Sequence, residues 1–268
     1  MQLPLYQVDA FADAVFKGNP AAVMPLDAWL PDATLQAIAA ENNLSETAFL
    51  VPQKGGLDED GYGLRWFTPT KEVDLCGHAT LASAWVIFHK LDGARAHVDF
   101  FTKSGKLTVR QDGESGRLAM DFPARPATEK APCSGLIAAL GVAPKLVLAA
   151  SKYLLVYEDA EIVRKMKPDM AGLMELDRDG VIVTAPGDRP GIDCVSRYFV
   201  PAAGIPEDPV TGSAHCSVVP YWAKRLGKRD IVAYQASARG GTLYCRDEGE
   251  RVRLAGSCRP YLEGTVTL

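Results

Sequence analysis

Residues 65–79 read RWFTPTKEVDLCGHA, and residues 197–214 read RYFVPAAGIPEDPVTGSA. Each stretch has an arginine before two aromatic residues, then a proline, an acidic residue and a glycine that opens an apolar run. The two glycines, Gly77 and Gly212, lie about half of the 268-residue chain apart. Such self-similarity predicts two related domains around a pseudo-twofold axis, each with a strand, a loop, a glycine turn and a helix start.

The composition is typical of a soluble globular protein, with 47% hydrophobic and 23% charged residues. No apolar run approaches the roughly 20 residues that cross a membrane, and the N-terminal residues lack the pattern of a signal peptide. The net charge is −4, and lysine and arginine are dispersed along the chain, so nucleic acid is not an expected partner. We expect a cytoplasmic protein.

The cysteines and cofactor motifs narrow the chemistry further. No C-x-x-C pair occurs, and the chain has four histidines, which argues against a structural zinc site. The phosphate-loop, dinucleotide-binding and H-E-x-x-H motifs are missing as well, so we expect no metal and no cofactor. The pattern predicts free thiols in a reducing cytosol and gives no role to five of them: Cys133, Cys194, Cys216, Cys245 and Cys258.

A proline-rich segment, residues 123–132 (PARPATEKAP), is the best candidate for a linker. It predicts one domain over 1–122 and a second over 123–268, with a last short strand at 265–268 that pairs with either. The helix after Gly77 is apolar almost all round, so it should be buried within its own domain, and the helix after Gly212 is again apolar at first. We therefore expect an α+β fold with two pseudo-symmetric domains, each a curled, mostly antiparallel sheet around a central helix.

The local patterns predict the individual elements. A helix is expected over 32–42, and Pro220 should kink or shorten the helix after Gly212. Strands are expected at 3–11, 22–25, 44–51, 63–68, 97–101, 106–111, 117–122, 146–150, 153–158, 181–185, 194–200, 230–235, 241–246 and 251–256.

Glu46 is the first candidate for a catalytic residue. It lies in a strand-like run in which Leu44, Glu46, Ala48 and Leu50 share one face. A carboxylate among apolar neighbours is costly unless it has a partner or a task, and such a setting raises its pKa and makes it a better proton acceptor. The alternative is an exposed strand end with Glu46 in water.

The glycine turns are candidates for anion binding. Gly77 and Gly212 let a ligand approach the backbone closely, and the N–H groups after each glycine, such as that of Ser213, favour a carboxylate or phosphate. Ordinary helix caps would look the same. Asp208 precedes the second turn, with Asp74 as its expected counterpart; one of them would accept a hydrogen bond from a substrate amine or hydroxyl, unless Asp208 is only a turn residue. His78 follows the first glycine and would share in proton transfer, donate a hydrogen bond or have a structural role.

Cys76 and Thr211 occupy equivalent positions in the two copies. Two thiols there would predict an epimerase with one sulfur on each face of a carbon acid. A threonine hydroxyl is too weak an acid or base to replace a thiolate, so the pair argues against symmetrical two-thiol chemistry.

At these residues the chain resembles the PhzF-like family of phenazine-biosynthesis isomerases, which is similar in fold to diaminopimelate epimerase. The resemblance covers nearly the whole chain and is carried by six stretches: 7–11, 18–23, 43–49, 65–69, 75–80 and 207–214. Asn19 lies in the second stretch, and we count it with Cys76 and Thr211 among the residues expected to contact the substrate.

The resemblance implies a function for the same residues. Glu46 would be the general acid/base, His78 and Asp208 would hold or polarise the substrate, and the backbone at Gly77, Gly212 and Ser213 would receive its carboxylate. It also implies an interdomain cleft, no cofactor, a small carboxylate or amino acid as substrate, and a homodimer. Two alternatives stay open: an amino-acid epimerase or racemase that uses Glu46 or Cys76, and a metabolite-binding protein without catalysis.

Overall fold

The structure is a computed structural model, and it describes residues 1–54, 60–178 and 180–268. The chain divides into two compact units: unit 1 comprises Met1–Asp121 with Ala255–Leu268, and unit 2 comprises Phe122–Leu254. Unit 1 is therefore made from two separate segments of the chain, and unit 2 from one. The sequence predicts domains over 1–122 and 123–268, meaning parts of the chain that fold independently. This division stays a prediction.

The described residues of the first half of the chain form strands with two longer helices between them. The elements are β1 (Gln2–Ala10), β2 (Asn19–Pro25), α1 (Asp32–Asn42), β3 (Glu46–Lys54), β4 (Asp60–Phe67), β5 (Glu72–Val73), α2 (Gly77–Val86), β6 (His97–Thr102), β7 (Gly105–Asp112) and β8 (Arg117–Pro123). A π-helical turn, Ile87–Leu91, follows α2 directly.

The rest of the chain alternates short helices with strands. The elements are β9 (Thr128–Glu129), α3 (Leu136–Leu140), β10 (Leu146–Ala149), β11 (Tyr153–Val156), α4 (Ala160–Lys165), α5 (Met170–Met174), β12 (Val181–Pro186), β13 (Cys194–Phe199), α6 (Gly212–Leu226), β14 (Asp230–Gln235), β15 (Gly241–Asp247), β16 (Arg251–Gly256) and β17 (Cys258–Thr267).

The two units repeat one series of strand pairings. In unit 1, β1–β2 is antiparallel, β2–β3 parallel, β3–β4 antiparallel, β4–β6 parallel and β6–β7 antiparallel. In unit 2 the same series runs through β10, β11, β12, β13, β14 and β15. The predicted α+β class with mostly antiparallel sheets is confirmed, and the repeat extends from sequence to topology.

Unit 1 is built around α2. This helix contacts β1, β2, β3, β7 and β17, and nearly all of its side chains are buried, as the apolar pattern predicts. Its small residues let the strands approach, and its buried hydroxyls are satisfied locally, because Thr80 Oγ1 donates to Cys76 O at 2.6 Å and Ser83 Oγ to Ala79 O at 2.8 Å.

The opposite face of the same strands packs on α1. Leu35 and Ile38 of α1 form an apolar cluster with Met24, Phe49 and Phe67. Since side chains alternate along a strand, the residues between these point to α2 instead. The chain thus separates a purely apolar layer on the α1 side from the α2 side, where Glu46 lies.

The helix of unit 2 does not end at its proline: α6 continues through Pro220 to Leu226. Of the two predicted effects of Pro220, the short helix is wrong and the kink stays a prediction. Pro220 has no N–H to donate to Cys216 O. That carbonyl accepts the backbone N–H of Arg125 instead at 2.9 Å, and Ser217 Oγ donates to Arg125 O at 2.7 Å. The segment predicted as a linker is therefore bound to α6.

An arginine–glutamate ion pair recurs in both units. Arg65 holds Glu72 through two bonds of 2.7 and 2.9 Å, and Arg197 holds Glu207 through two bonds of 2.8 Å. Each glutamate precedes its glycine by the same number of residues, so Glu72 corresponds to Glu207. The expected equivalence of Asp74 with Asp208 is consequently wrong by one residue.

Most predicted strands are present with shifts of a few residues. The last strand, β17, is longer than expected and pairs with β1. The helices α3, α4 and α5 were not predicted. Among the described residues, no helix has both the length and the apolarity that a membrane span requires.

Candidate active site

Glu46 opens β3 on the face that packs against α2. Its side chain is 17% exposed, whereas Ala48 and Leu50, on the same face, are fully buried. The carboxylate therefore lies at the rim of an apolar layer, as the alternating pattern predicts, and not on an exposed strand end.

His78 of α2 faces this carboxylate. Its Nε2 lies 3.1 Å from Glu46 Oε2, and the imidazole is 5% exposed. The contact has the distance of an ion pair, and neither atom has a geometrically defined hydrogen bond to the described residues. Leaving a buried polar atom without a partner costs about 1–3 kcal/mol, so the two atoms are arranged to receive a ligand or solvent.

The other ring nitrogen of His78 contacts two side chains. Nδ1 lies 3.1 Å from Asn19 Nδ2 and 3.4 Å from Cys76 Sγ. When Nδ1 accepts from the Asn19 amide, the proton of a neutral imidazole is on Nε2 and faces Glu46. Asn19 and Cys76 thus fix which nitrogen carries the proton. We call Asn19, Glu46, Cys76 and His78 the Glu46 cluster.

The protonation states follow from burial and neighbouring charge. Burial raises the pKa of the Cys76 thiol to about 11, and Glu46 adds to the rise. Burial opposes a charge on His78, but the contacts with Cys76 and with the Glu46 carboxylate outweigh it and raise the His78 pKa well above 6.5. At neutral pH, Cys76 is therefore a thiol, and His78 holds a proton beside Glu46.

The same atoms offer ligands to a metal ion. One atom each of Glu46, Cys76 and His78 lies within 4.8 Å of the others. Glu46 and Cys76 contact different nitrogens of the ring, so one ion cannot replace both contacts without a rotation of the imidazole. The arrangement fits proton transfer better than chelation.

A tight loop places Asn19 against His78. Gly18, the preceding residue, has φ +66°, and a Cβ there would lie 2.1 Å from Ala10 O. Asp9, fully buried in β1, accepts the N–H of Phe16 in the same loop at 2.8 Å. Only glycine fits this approach, so the loop sequence fixes the start of β2 and with it Asn19.

Asp208 lies in unit 2 within a separate polar network. Thr211 Oγ1 donates to Asp208 Oδ2 at 2.5 Å. Gln235, fully buried at the end of β14, donates to Asp208 O at 2.7 Å and accepts the N–H of Thr211 at 2.8 Å. The Thr211 hydroxyl is therefore committed to Asp208. Sequence reasoning gave no role to Gln235.

His215 also belongs to this network and was not predicted. Its Nδ1 lies 2.8 Å from Thr211 O, and its Nε2 lies 3.5 Å from Ser196 Oγ. The His215 ring contacts the carbonyl of Thr211, four residues earlier in the chain. In unit 1, the Thr80 hydroxyl likewise donates to the carbonyl of Cys76, four residues earlier. The sequence signal that could have pointed to His215 is the repeat, because His215 and Thr80 are at equivalent positions. Asp208, Thr211, His215 and Gln235 form the Asp208 cluster.

Comparisons with known proteins place the chain in a family. A family model described as phenazine biosynthesis-like protein matches residues 8–264. The chain belongs to the phenazine biosynthesis-like protein family. It is 55% identical, over the full length of both chains, to a Pseudomonas aeruginosa protein named as an uncharacterized isomerase. The predicted resemblance is confirmed, and so is the prediction of an isomerase of this family.

Solved structures agree with this assignment. A PhzF-family protein of Enterococcus faecalis is 46% identical over 100% of both chains, with a TM-score of 0.93. A hydroxyproline epimerase of Agrobacterium vitis covers 100% of this chain, and 93% of its own chain is matched, at 10% identity and a TM-score of 0.59. The second likeness shows that the epimerase-like fold is shared, and only that.

The starts of α2 and α6 are where the family resemblance implies carboxylate binding. Cys76 and Thr211 are their extended N-cap residues, and neither helix has a side-chain cap. The first N–H groups of an α-helix have no partner within the helix, so those after Gly77 and Gly212, including that of Ser213, can bind an anion.

The structure thus brings the predicted residues of this PhzF-like chain together in two groups. Asn19, Cys76, Gly77 and His78 lie with Glu46 in unit 1. Thr211, Gly212 and Ser213 lie with Asp208 in unit 2. Their roles in catalysis and binding stay predictions.

We predict that His215 makes the protein sensitive to mild acid. Burial lowers its pKa to about 4 from 6.5, so the unfolded chain binds this proton more readily than the folded one. The resulting stability is present above pH 6.5 and is lost as the pH falls toward 4. It amounts to about 3 kcal/mol in full and about 2 kcal/mol of it is lost by about pH 5.

Urea unfolding of the wild type and His215→Gln at about pH 7 and about pH 5 checks this. The loss of unfolding free energy between the two pH values should be about 2 kcal/mol smaller in the variant. Equal losses in the two proteins would show that His215 does not carry this pH dependence.

Proposed function

We propose that this protein is a cofactor-independent isomerase that moves a proton on a small unsaturated carboxylate or amino acid, with Glu46 as the general acid/base. One observation carries the proposal: Glu46 Oε2 is buried, has no hydrogen-bond partner among the described residues, and lies 3.1 Å from His78 Nε2. A carboxylate in that position has a free lone pair for a substrate proton.

His78 would keep its own proton beside Glu46 while Glu46 carries the substrate proton. A carboxylate that has taken a proton from carbon must return it to another carbon of the same molecule. With its raised pKa, the imidazole beside Glu46 stabilises negative charge that develops on the substrate. Asn19 and Cys76 fix the orientation of the ring for this task.

The Asp208 cluster would bind the polar end of the substrate. The short bond from Thr211 orients the Asp208 carboxylate, which would accept from a substrate amine or hydroxyl. The backbone at Gly77, Gly212 and Ser213 would receive the carboxylate.

An epimerase is the second candidate, because Cys76 lies at the N-cap of α2 within 3.4 Å of His78 Nδ1. Two findings weigh against it. The thiol, with a pKa of about 11, is protonated at neutral pH, and the Thr211 hydroxyl at the equivalent position donates to Asp208. Neither side chain is a ready base for inversion at carbon.

We predict that Cys76→Ala leaves turnover within about tenfold of the wild type, whereas loss of a catalytic acid or base costs about 10²- to 10⁴-fold. The measurement is the rate of solvent deuterium incorporation into a responsive substrate. Inversion of an optically pure amino acid by the wild type, lost in Cys76→Ala, would instead establish the epimerase.

The proposal is tested by incubating the protein in D₂O with small unsaturated carboxylates and amino acids, including dihydroxylated cyclohexadiene amino acids, and reading label by mass spectrometry. Incorporation at a substrate carbon supports an isomerase and identifies the substrate class. Compounds that bind tightly and never acquire label would support the third candidate, a metabolite-binding protein without catalysis.

Assembly and compartment belong to the same proposal. We propose a homodimer in the cytoplasm, which is the common state of soluble enzymes. The six cysteines are free thiols and form no disulfide bonds with one another. Free thiols support a reducing compartment.

A further inference from the structure

Two tryptophans of this chain are equally buried but differ in their hydrogen bonds. Trp66 in β4 and Trp222 in α6 are each 1% exposed. Trp222 Nε1 donates to Thr184 Oγ1 at 2.9 Å, whereas Trp66 Nε1 has no partner among the described residues. A buried indole N–H normally finds an acceptor, because an unpaired one costs about 1–3 kcal/mol.

Strand register places Trp66 on the face that carries Glu46. Trp66 lies opposite Ala48 on β3, and Glu46 is two residues from Ala48 on the same strand. On the other neighbour of β3, Ala21 lies opposite Glu46. Diagonal neighbours on one face of a sheet have Cα atoms about 7–8 Å apart, within reach of an aromatic side chain.

The helix that supplies His78 covers the same face. Phe49 and Phe67, which flank Ala48 and Trp66 in sequence, point the other way into the α1 cluster. Trp66 therefore points toward the α2 side, where His78 meets Glu46.

Three buried atoms without a hydrogen-bond partner thus belong to residues of one layer in unit 1. Glu46 Oε2 is an acceptor, His78 Nε2 is the nitrogen beside it, and Trp66 Nε1 is a donor. If the three atoms lay in separate places, each would only lower the stability of the fold. Together they describe a site that is complete only when a molecule with both donor and acceptor atoms occupies it.

We propose that Trp66 is a substrate-contacting residue, whose indole N–H donates to an oxygen of the substrate and whose ring lines the site as a flat apolar wall. The inference rests on the proposed function and adds to it a contact with the substrate. The substrate is a planar, conjugated carboxylate with a second oxygen, as hydroxyl or carbonyl, on its unsaturated skeleton. A carbon acid needs such conjugation to lose its proton, and a flat ring surface suits it.

Indole NMR on protein labelled with ¹⁵N at its four tryptophans tests the proposal. Trp66→Phe and Trp222→Phe assign the two buried indole signals. The probes are benzoate, 2-hydroxybenzoate and the non-planar cyclohexanecarboxylate. We expect the Trp66 N–H signal to shift with the planar probes, most with 2-hydroxybenzoate, and the Trp222 signal to stay in place.

Each outcome decides the matter. A probe that shifts the His78 ring signals but leaves the Trp66 indole unchanged overturns the proposal. If no probe binds, contact with water decides: a Trp66 N–H that shows magnetisation transfer from water, unlike Trp222, supports an open site, and one as protected as Trp222 overturns it.

Kinetics then separate this contact from the chemistry. With a substrate found by deuterium labelling, Trp66→Phe should raise KM about tenfold and change kcat less than about threefold, which corresponds to one hydrogen bond. A tenfold fall in kcat with KM unchanged would contradict a binding role. A shifted Trp66 signal together with full turnover in Glu46→Gln would refute the proposed function and leave this contact standing.

Discussion

Replacing Glu46 with glutamine is expected to lower kcat by about 10²- to 10⁴-fold while KM changes little. Glutamine has the shape of glutamate and keeps the strand start in place, but its amide cannot accept and return a proton. The contact of 3.1 Å with His78 would then join two neutral groups. Solvent deuterium incorporation into the substrate is the direct measurement, because it reports proton transfer even when net conversion is small.

Glu41→Gln is the matched control, because Glu41 is an exposed glutamate in α1 of the same unit. It removes the same charge and should leave kcat and KM as in the wild type. Circular dichroism and thermal unfolding of both variants should match the wild type. Turnover of Glu46→Gln within tenfold of the control would refute the assignment of Glu46 as the proton carrier.

The second large effect is expected from Gln235→Ala. The substitution removes the donor for Asp208 O and the acceptor for the Thr211 N–H, and Gln235 is fully buried. One buried and one part-buried backbone group lose this partner, so we expect the free energy of unfolding to fall by about 2–4 kcal/mol. We also expect kcat/KM to fall, since Asp208 loses one of the bonds that hold its backbone.

Gln111→Ala serves as the control for this change. Gln111 is exposed and donates one long bond of 3.3 Å to Arg95 O, so its loss should cost less than about 0.5 kcal/mol. Urea unfolding followed by tryptophan fluorescence measures both variants. A cost below about 1 kcal/mol for Gln235→Ala would show that water replaces the amide and that Gln235 is not an anchor.

Three residues of the Glu46 cluster are tied to local signals in the sequence, and their roles in catalysis stay predictions. Glu46 interrupts an apolar strand face, and Cys76 and His78 flank a glycine at a helix start. These patterns depend on neighbours in sequence, and the structure retains them. The orientation of His78 between Glu46 and Cys76 was not predictable, since it depends on Asn19 from a distant loop.

Residues whose partners are distant in sequence were missed. In the sequence, Gln235 and Trp66 look like ordinary strand residues. The structure draws attention to Gln235 because its buried amide joins Asp208 to Thr211. It draws attention to Trp66 because its indole N–H has no acceptor among the described residues. Hydropathy periodicity reports burial but not which polar atoms meet. The same limit explains the wrong pairing of Asp74 with Asp208, which the ion pair of Arg197 with Glu207 corrects.

The short helices of unit 2 had a partial signal. Asp159 and Asp169 cap α4 and α5 by accepting backbone N–H groups at 2.7 and 3.1 Å. Segments this short have little intrinsic helicity, and packing stabilises them: Val163 and Leu173 lie in the core of unit 2. Asp caps alone, without an amphipathic run, do not separate such a helix from a turn.

The strand β17 gives the chain a built-in order of assembly during synthesis. It pairs with β1 along its length, yet it leaves the ribosome only after all of Phe122–Leu254 has been made. Until then one edge of β1 lacks its partner, and an unpaired edge is a template for association with other chains. Unit 2, which is one continuous segment, needs no such wait. The nascent first unit is thus the part of this protein for which protection by a chaperone would matter most.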